Sequence, residues 1–199
     1  MTFIFPTRSV VCAPADRPGG GNASPRLLKP NLELLTRLRG IHLDGPRRET
    51  LNNLAIIDDQ ENMIRILSLA IGDHVETLTG EKPDIVRASQ VRGRPYDRSR
   101  LHIFIASTEV EIRSMPEIIF DYDIDLVLTD YDYRINDLTG VDLIRRISAK
   151  ENEAKDKMGS RIIIGMSAVS VLNRELFYGA RADLVLDKPP RINITDLFI

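Results

Sequence analysis

Short apolar runs alternate with amphipathic segments over residues 54–187, and this alternation constrains the fold more than any other feature of the chain. The segments between the runs repeat their apolar residues at helical spacing. An alternation of this kind is typical of βα units that build a parallel sheet covered by helices. It predicts strands at 54–58, 101–106, 125–129, 161–166 and 183–187, and helices at 60–71, 109–120, 140–149 and 170–179.

Residues 51–199 are expected to form one α/β domain, and a chain of 199 residues is long enough to fold around a sizeable core. Residues 76–100 interrupt the pattern with two prolines, two glycines and five arginines, and are far longer than an ordinary αβ loop. We expect this insertion to be a solvated flexible loop rather than a basic docking surface. The last residues start a helix that is either one turn long or truncated.

The first fifty residues differ in composition from the rest of the chain. Prolines and the run Gly19-Gly20-Gly21 are typical of a tail, so residues 1–50 are expected to form a mostly disordered N-terminal arm. Leucines near helical spacing predict a short helix at 31–39, capped by Asn31 and ended by Gly40. Such a helix could fluctuate within the arm or dock on a partner, and we favour the first interpretation.

Composition excludes several classes of protein. A formal net charge of −2 and a pI near 6.0 argue against a nucleic-acid binder. Cys12 is the only cysteine, so the chain can form neither an intrachain disulfide nor a cysteine-based metal site, as fits a reducing compartment. No apolar run approaches the roughly 18 residues of a membrane span, and Pro6 and Arg8 interrupt the apolar start. We expect a cytoplasmic protein without a signal peptide.

Polar side chains follow the predicted strands at the point where each strand ends. Asp58 and Asp59 come directly after Ala55-Ile-Ile, and Asp130 ends the run Leu126-Val-Leu-Thr. Ser167 and Lys188 follow the last two strands in the same way. Because open parallel sheets place their sites at this edge, the sequence predicts one shared pocket.

The residue types in this pocket indicate its chemistry. Clustered carboxylates repel one another unless a cation or protons neutralise them, and oxygen ligands favour a hard cation such as Mg²⁺. Asp130 could attack phosphorus to form an acyl phosphate, with Mg²⁺ and Lys188 neutralising the equatorial oxygens and Ser167 donating to one of them. The set of three acids, one ammonium and one hydroxyl therefore suits phosphoryl chemistry.

In their order along the chain, Asp58-Asp59, Asp130, Ser167-Ala168 and Lys188-Pro189 resemble the receiver domain of two-component response regulators. The resemblance covers about residues 53–193. It implies a doubly wound, flavodoxin-like sheet of five parallel strands in the order 2-1-3-4-5. It also implies a signalling protein that catalyses only its own phosphorylation and dephosphorylation, and not an enzyme that acts on other molecules.

The same resemblance implies partners and a role for each residue. The phosphoryl group would come from a sensor histidine kinase or a histidine phosphotransfer protein, and its arrival would change contacts with a downstream protein or a second copy of the chain. Neither nucleic acid nor membrane is predicted as a partner. Asp130 would be the phosphoacceptor, Ser167 the switch hydroxyl and Lys188 the cation that pairs with the phosphate. A cis Lys188–Pro189 bond would aim the ammonium inward. The Mg²⁺ ligands would be Asp58, Asp59, Asp130 and the backbone carbonyl of Asp132.

The chain departs from the family pattern in two places. Receiver domains usually have a Met-Pro pair and then a glycine soon after the phosphoacceptor, whereas a longer loop without proline leads here from Tyr131 to Gly140. The aromatic residue that often stands three positions before the lysine is replaced by Val185. Partner recognition and the usual switch readout are therefore expected to differ. The side chain of Asp132 could position a hydrolytic water, repel the phosphate, or be an ordinary exposed acid.

Two other functions fit part of the pattern. Asp130-Tyr-Asp132, followed by Ser167 and Lys188, is similar to the motif order of Mg²⁺-dependent phosphatases of the haloacid dehalogenase type. In those enzymes, however, the last acidic pair lies after the lysine, whereas here the pair lies before it. The atypical loop would also suit a degenerate receiver used only for interaction or dimerisation. Because all the acids and the lysine are present, the sequence favours an active receiver.

Overall fold

The computed structural model describes residues 28–39, 50–91, 97, 100–135, 137–154, 161–190 and 193–199. Within these residues the strands are β1 (Asn53–Ile57), β2 (Asp84–Arg87), β3 (His102–Ala106), β4 (Leu126–Asp130), β5 (Asp132–Ile135), β6 (Leu138–Thr139), β7 (Ile162–Ser167) and β8 (Leu184–Asp187). The α-helices are α1 (Leu32–Arg39), α2 (Glu61–Thr79), α3 (Glu109–Asp121), α4 (Gly140–Ala154) and α5 (Ser170–Gly179), with 3-10 helices at Ala88–Gln90 and Ile194–Leu197. None of the helices in these ranges is both long and apolar enough to cross a membrane.

Six strands form one parallel sheet in the order β2-β3-β1-β4-β7-β8. All five predicted strands are present, but the count of five and the order 2-1-3-4-5 are wrong for the whole sheet, because β2 adds a strand beyond β3. This edge strand comes from the 76–100 insertion, which the sequence predicts to be a flexible loop. Val86 is its only fully buried residue, so β2 lacks the continuous apolar run that marks the central strands.

Helix α2 continues to Thr79, well past the predicted end at residue 71. Val75 extends its buried face, and Gly80 ends the helix with φ at 80°, its N–H donating to the carbonyl oxygen of Glu76 at 2.8 Å. Glycine adopts this left-handed conformation without the steric cost of a side chain. The first residues of the predicted insertion therefore belong to the helix.

Two layers of helices cover the sheet, one on each face. Every residue of β1 is buried, as expected for a strand inside a parallel sheet, and its side chains alternate between two cores. One core contains Ile57 and Phe104 and is closed by α3, α4 and α5. The other contains Leu54 and Ile56 and is closed by α2, α1 and the 3-10 helix Ile194–Leu197.

Helix α1 (Leu32–Arg39) lies where the sequence predicts a short helix at 31–39. Asn31 caps it by accepting a hydrogen bond from the N–H of Leu34 at 3.1 Å, whereas Gly40 lies outside the described residues. Leu35 is only 1% exposed, and Lys29, just before the helix, exchanges two backbone hydrogen bonds of 2.9 Å with Ile199. The 28–39 part of the predicted arm is therefore packed onto the sheet, beside the single 3-10 turn that forms the last helix.

We expect Leu35→Ala to lower the free energy of unfolding by about 2 to 5 kcal/mol, because it removes a buried side chain and leaves a cavity. Arg37→Ala, on the exposed side of the same helix, is the control and should change stability by less than about 0.5 kcal/mol. Urea denaturation of the full chain measures both values. Equal stability of Leu35→Ala and wild type would show that α1 does not belong to the folded core.

Candidate functional site

The ends of β1 and β4 bring the predicted acids together. The two strands are adjacent and parallel, with Ile57 opposite Thr129, so the residues that follow them meet at one edge of the sheet. One ligand oxygen from each of Asp58, Asp59 and Asp130 lies within 4.8 Å of the others. The shared acidic pocket predicted from the sequence is therefore present.

Lys188 enters this pocket from the end of β8. Its ammonium nitrogen Nζ lies 2.7 Å from Oδ2 of Asp58 and 2.7 Å from Oδ2 of Asp130, and its side chain is only 7% exposed. The peptide bond between Lys188 and Pro189 is cis, as the family resemblance implies. The other oxygens of the two acids are also fixed, since Asp58 Oδ1 accepts from the N–H of Gln60 and Asp130 Oδ1 from the N–H of Tyr131, both at 2.8 Å.

Burial and neighbouring charge shift the pKa values in the pocket. Burial is the largest cause of the shift and raises the pKa of Asp130 to about 6. The hydrogen bond from Lys188 acts to lower this pKa, whereas the negative charge of Asp58 acts to raise it. Burial and Asp58 also raise the pKa of Asp59. For Lys188, burial acts to lower the pKa, but the bonds to Asp130 and Asp58 outweigh it and the pKa is raised. The buried ammonium of Lys188 therefore pairs with two of the three acids, and the acids outnumber the buried cation.

The donor atoms of the pocket fit a hard cation. Oδ1 of Asp59 is buried, and no hydrogen-bond donor reaches it from the part of the chain that the structure describes. Buried polar atoms without a partner are costly, and a bound cation would remove that cost. Asp58, Asp59 and Asp130 supply oxygen atoms only, the ligand type that Mg²⁺ prefers. The backbone carbonyl of Asp132 as a further ligand stays a prediction.

The longer loop after Asp130 is a small antiparallel hairpin, β5 and β6, with Asp137 in the left-handed conformation at its turn, where φ is 63°. Tyr133 anchors the hairpin, because its buried hydroxyl is hydrogen-bonded to the hydroxyl of Thr129 in β4. This hairpin is not among the elements predicted from the sequence. Its signal is the alternation of apolar Tyr131, Tyr133 and Ile135 with polar residues.

Gly140 brings the chain back to Asp130 after the hairpin. Its N–H donates to the carbonyl oxygen of Tyr131 at 2.9 Å. A Cβ atom at this position would lie 1.9 Å from the carbonyl oxygen of Asp130, so only glycine fits. The glycine expected soon after the acid is therefore present as Gly140, displaced along the chain by the hairpin.

Two charged side chains of the hairpin lie at the rim of the pocket. Asp132 is exposed, and its Oδ1 accepts a hydrogen bond from the N–H of Arg134 at 3.0 Å. Nε of Arg134 lies 3.9 Å from Oδ2 of Asp59, with the arginine side chain 76% exposed. An ion pair this exposed adds little stability. The negative charge of Asp132 contributes to the raised pKa of Asp59, so Asp132 acts on the pocket electrostatically.

Ser167 ends β7 beside the acids. In the β4–β7 register Asp130 lies opposite Met166, so Ser167 is one position further along the neighbouring strand. The hydroxyl is buried and accepts two hydrogen bonds, from the N–H of Val169 at 3.1 Å and from Nδ2 of Asn173 at 2.9 Å. Asn173 lies on α5. It could not be identified from the sequence, because one asparagine on a predicted helix does not indicate a contact with a given hydroxyl.

An aromatic side chain reaches this region from α5 instead of from β8. Val185, at the position where the family often has an aromatic, is buried and apolar. Phe177 packs edge-on against Tyr131, with ring centroids 5.6 Å apart. Gly165 makes room for it, because a Cβ there would lie 2.5 Å from the Phe177 ring. The residue next to Asp130 thus contacts α5 directly.

No protein-family profile and no curated protein matches the chain. Among solved structures, the chain is similar to response regulator receiver domains at low identity. NtrX from Brucella abortus, in complex with ADP, is 14% identical with a TM-score of 0.48, and the match covers 73% of this chain but only 25% of NtrX. A response regulator signal receiver domain from Bermanella marisrubri is 15% identical with a TM-score of 0.44, over 74% of this chain and 92% of that one. The signal receiver domain of an HD domain-containing protein from Pseudomonas fluorescens Pf-5 is 15% identical with a TM-score of 0.43, over 74% and 83%.

In the metal-free protein, the carboxyl group of Asp130 should titrate at about pH 6, because burial raises its pKa. Below that pH the acid is mostly protonated, and at neutral pH it is mostly ionised. Mg²⁺ should move the titration to lower pH, since a bound cation favours the ionised form. Carbon-13 NMR of the aspartate carboxyl groups, assigned with Asp130→Asn, follows this change. Asp59→Asn should abolish the Mg²⁺-dependent shift, and a wild-type titration that Mg²⁺ leaves unchanged would contradict a metal at this cluster.

Proposed function

We propose that this protein is a phosphoryl-accepting receiver in which Asp130 takes a phosphoryl group from a histidine kinase or a histidine phosphotransfer protein. The observation that carries the proposal is the ammonium of Lys188, held 2.7 Å from the carboxylates of both Asp58 and Asp130 in a buried pocket that lacks enough positive charge. Such a pocket gains from a further cation, and that cation together with Lys188 would offset the negative charge that a phosphoryl group brings.

The proposed step is a displacement at phosphorus. A carboxylate oxygen of Asp130 forms a bond to the phosphorus of a phosphohistidine, and the phosphorus–nitrogen bond breaks. The electron pair of that bond stays on the imidazole, which takes up one proton from solvent. The product is an acyl phosphate on Asp130 and a free histidine on the donor. With a pKa of about 6, Asp130 is mostly ionised at neutral pH and can act as the nucleophile.

Three groups of the pocket have separate roles in this step. Lys188 moves its ammonium from the carboxylate toward a phosphoryl oxygen and offsets the charge on it. Ser167 donates its hydroxyl proton to another phosphoryl oxygen. Asp58 and Asp59 hold Mg²⁺ together with Asp130, and the ion would neutralise charge on the transferred group. In the same proposal the protein acts on no other substrate, and the phosphoryl group changes its contacts with a downstream protein or a second copy.

Acetyl phosphate with Mg²⁺ should label wild type on a single aspartate, and Asp130→Asn should take no label, because the nucleophile is absent. Asp137→Asn is the matched control: it makes the same substitution at an exposed hairpin position, and it should be labelled like wild type. Mass spectrometry of the full chain measures the label.

Three results separate the alternatives, two from that experiment and one from a separate phosphatase assay. Label on Asp130 that decays slowly supports a receiver. Continuous release of phosphate from a generic phosphate ester would favour a phosphatase of the haloacid dehalogenase type. Equal absence of label in wild type and Asp130→Asn would favour a degenerate receiver that serves only as an interaction domain.

We expect Asp132→Ala to lengthen the lifetime of the phosphorylated form. Asp132 is exposed at the rim of the pocket, and its carboxylate is held by the N–H of Arg134, so it is positioned to direct a hydrolytic water. The decay of label after removal of acetyl phosphate measures the effect, with Asp137→Asn as the control on the same hairpin, because asparagine tolerates the left-handed conformation there. An unchanged decay rate would remove this role, and a shortened lifetime would assign Asp132 a protective one.

A further inference from the structure

The hydroxyl of Ser167 has its acceptor capacity filled. The N–H of Val169 and Nδ2 of Asn173 both donate to Oγ, and a hydroxyl oxygen has two lone pairs to accept them. Within the described ranges, no acceptor for the hydroxyl proton of Ser167 lies at hydrogen-bonding distance. The two donors therefore fix the oxygen and leave the proton available for a group that enters the pocket.

Helix α5 contacts the pocket through two side chains on its inner face. Asn173 reaches Ser167, and Phe177, one helical turn further, packs against Tyr131. The residues they contact are the end of β7 and the neighbour of Asp130. A displacement of either residue thus changes a contact of the same helix.

Three apolar side chains are exposed on the outer side of α5, beside the charged Arg174 and Glu175. Val171 is 78%, Leu172 74% and Leu176 45% exposed. These three side chains lie on the helix that Asn173 and Phe177 attach to the pocket. A change in the position of α5 would therefore alter how an apolar surface is presented.

We propose that Asn173 is a positioning residue that holds the Ser167 hydroxyl for a phosphoryl oxygen and couples occupancy of Asp130 to the position of α5. This inference rests on the proposed function of Asp130. The coupling runs through a side-chain hydrogen bond from α5 and does not need an aromatic at residue 185. When the phosphoryl oxygen accepts the hydroxyl proton, the serine oxygen moves toward it, and the bond to Asn173 lengthens or pulls the helix with it.

Beryllofluoride with Mg²⁺, a non-covalent substitute for the phosphoryl group, provides the test on the full chain. We expect NMR spectra of wild type to show shifts in the amides of α5 when it is added. Asn173→Ala should change the equilibrium between the two positions of α5 by about fivefold, the factor that corresponds to one hydrogen bond of about 1 kcal/mol. Acetyl phosphate should still label Asp130 in this variant.

Three further variants make the result specific. Arg174→Ala, at an exposed position of the same helix, should respond like wild type. Asn173→Asp keeps the shape of the side chain but accepts the serine proton instead of donating, so it should also change the equilibrium between the two positions of α5. In a Ser167→Ala background, Asn173→Ala should have no additional effect, because the partner of the bond is already absent.

The possible failures of the inference and of the proposed function can be told apart. If Asn173→Ala is labelled and its α5 amides respond like those of wild type, the inference is overturned and the proposed function stands. The inference is also overturned, and the proposed function stands, if Asn173→Ala has the same effect in the wild-type background and in the Ser167→Ala background. If wild type takes no label, the proposed function and this inference fall together.

Discussion

The ammonium of Lys188, buried between Asp58 and Asp130, is the contact on which the site depends. It joins Asp58, which follows β1, to Asp130, which ends β4, and Lys188 itself follows β8, so the pocket exists only when those strands occupy their places in one sheet. Buried charges are costly unless they are paired, and this buried cation pairs with only two of the three acids. Burial and the negative charge of Asp58 raise the pKa values of Asp59 and Asp130, and the cluster of acids suits the pocket to a hard cation.

The acids and the lysine could be predicted from the sequence because each one follows an apolar strand, and parallel strands bring such positions to one edge. Strand β2 could not, because an edge strand with a single fully buried residue has no apolar run. The contact of Asn173 with Ser167 could not be predicted from the sequence either, since it depends on the rotation of α5 about its own axis. Periodicity predicts that a helix forms but does not place one polar side chain against a given hydroxyl.

The hairpin after Asp130 lengthens the chain beside the acids without separating Asp130 from Asp58 and Asp59. It adds residues between the acid and Gly140, yet Tyr133 and the close approach of Gly140 hold both of its ends against β4. The inserted residues project toward the rim, where Asp132 and Arg134 lie. The sequence alone showed that the loop was longer than usual, but its anchoring needed the position of Thr129 in three dimensions.

The docking of α1 has a consequence for the order of folding. Nδ2 of Asn31 donates to the carbonyl oxygen of Asp196 at 3.0 Å, and these residues are 165 positions apart in the chain. Closing so long a loop costs more chain entropy than closing a hairpin or a βα unit, and contacts between distant residues slow folding. The βα units between them can form from near neighbours. We therefore expect the layer made by α1 and the 3-10 helix to assemble after the sheet that it covers, so that the fold grows from its centre and its two extremities meet last.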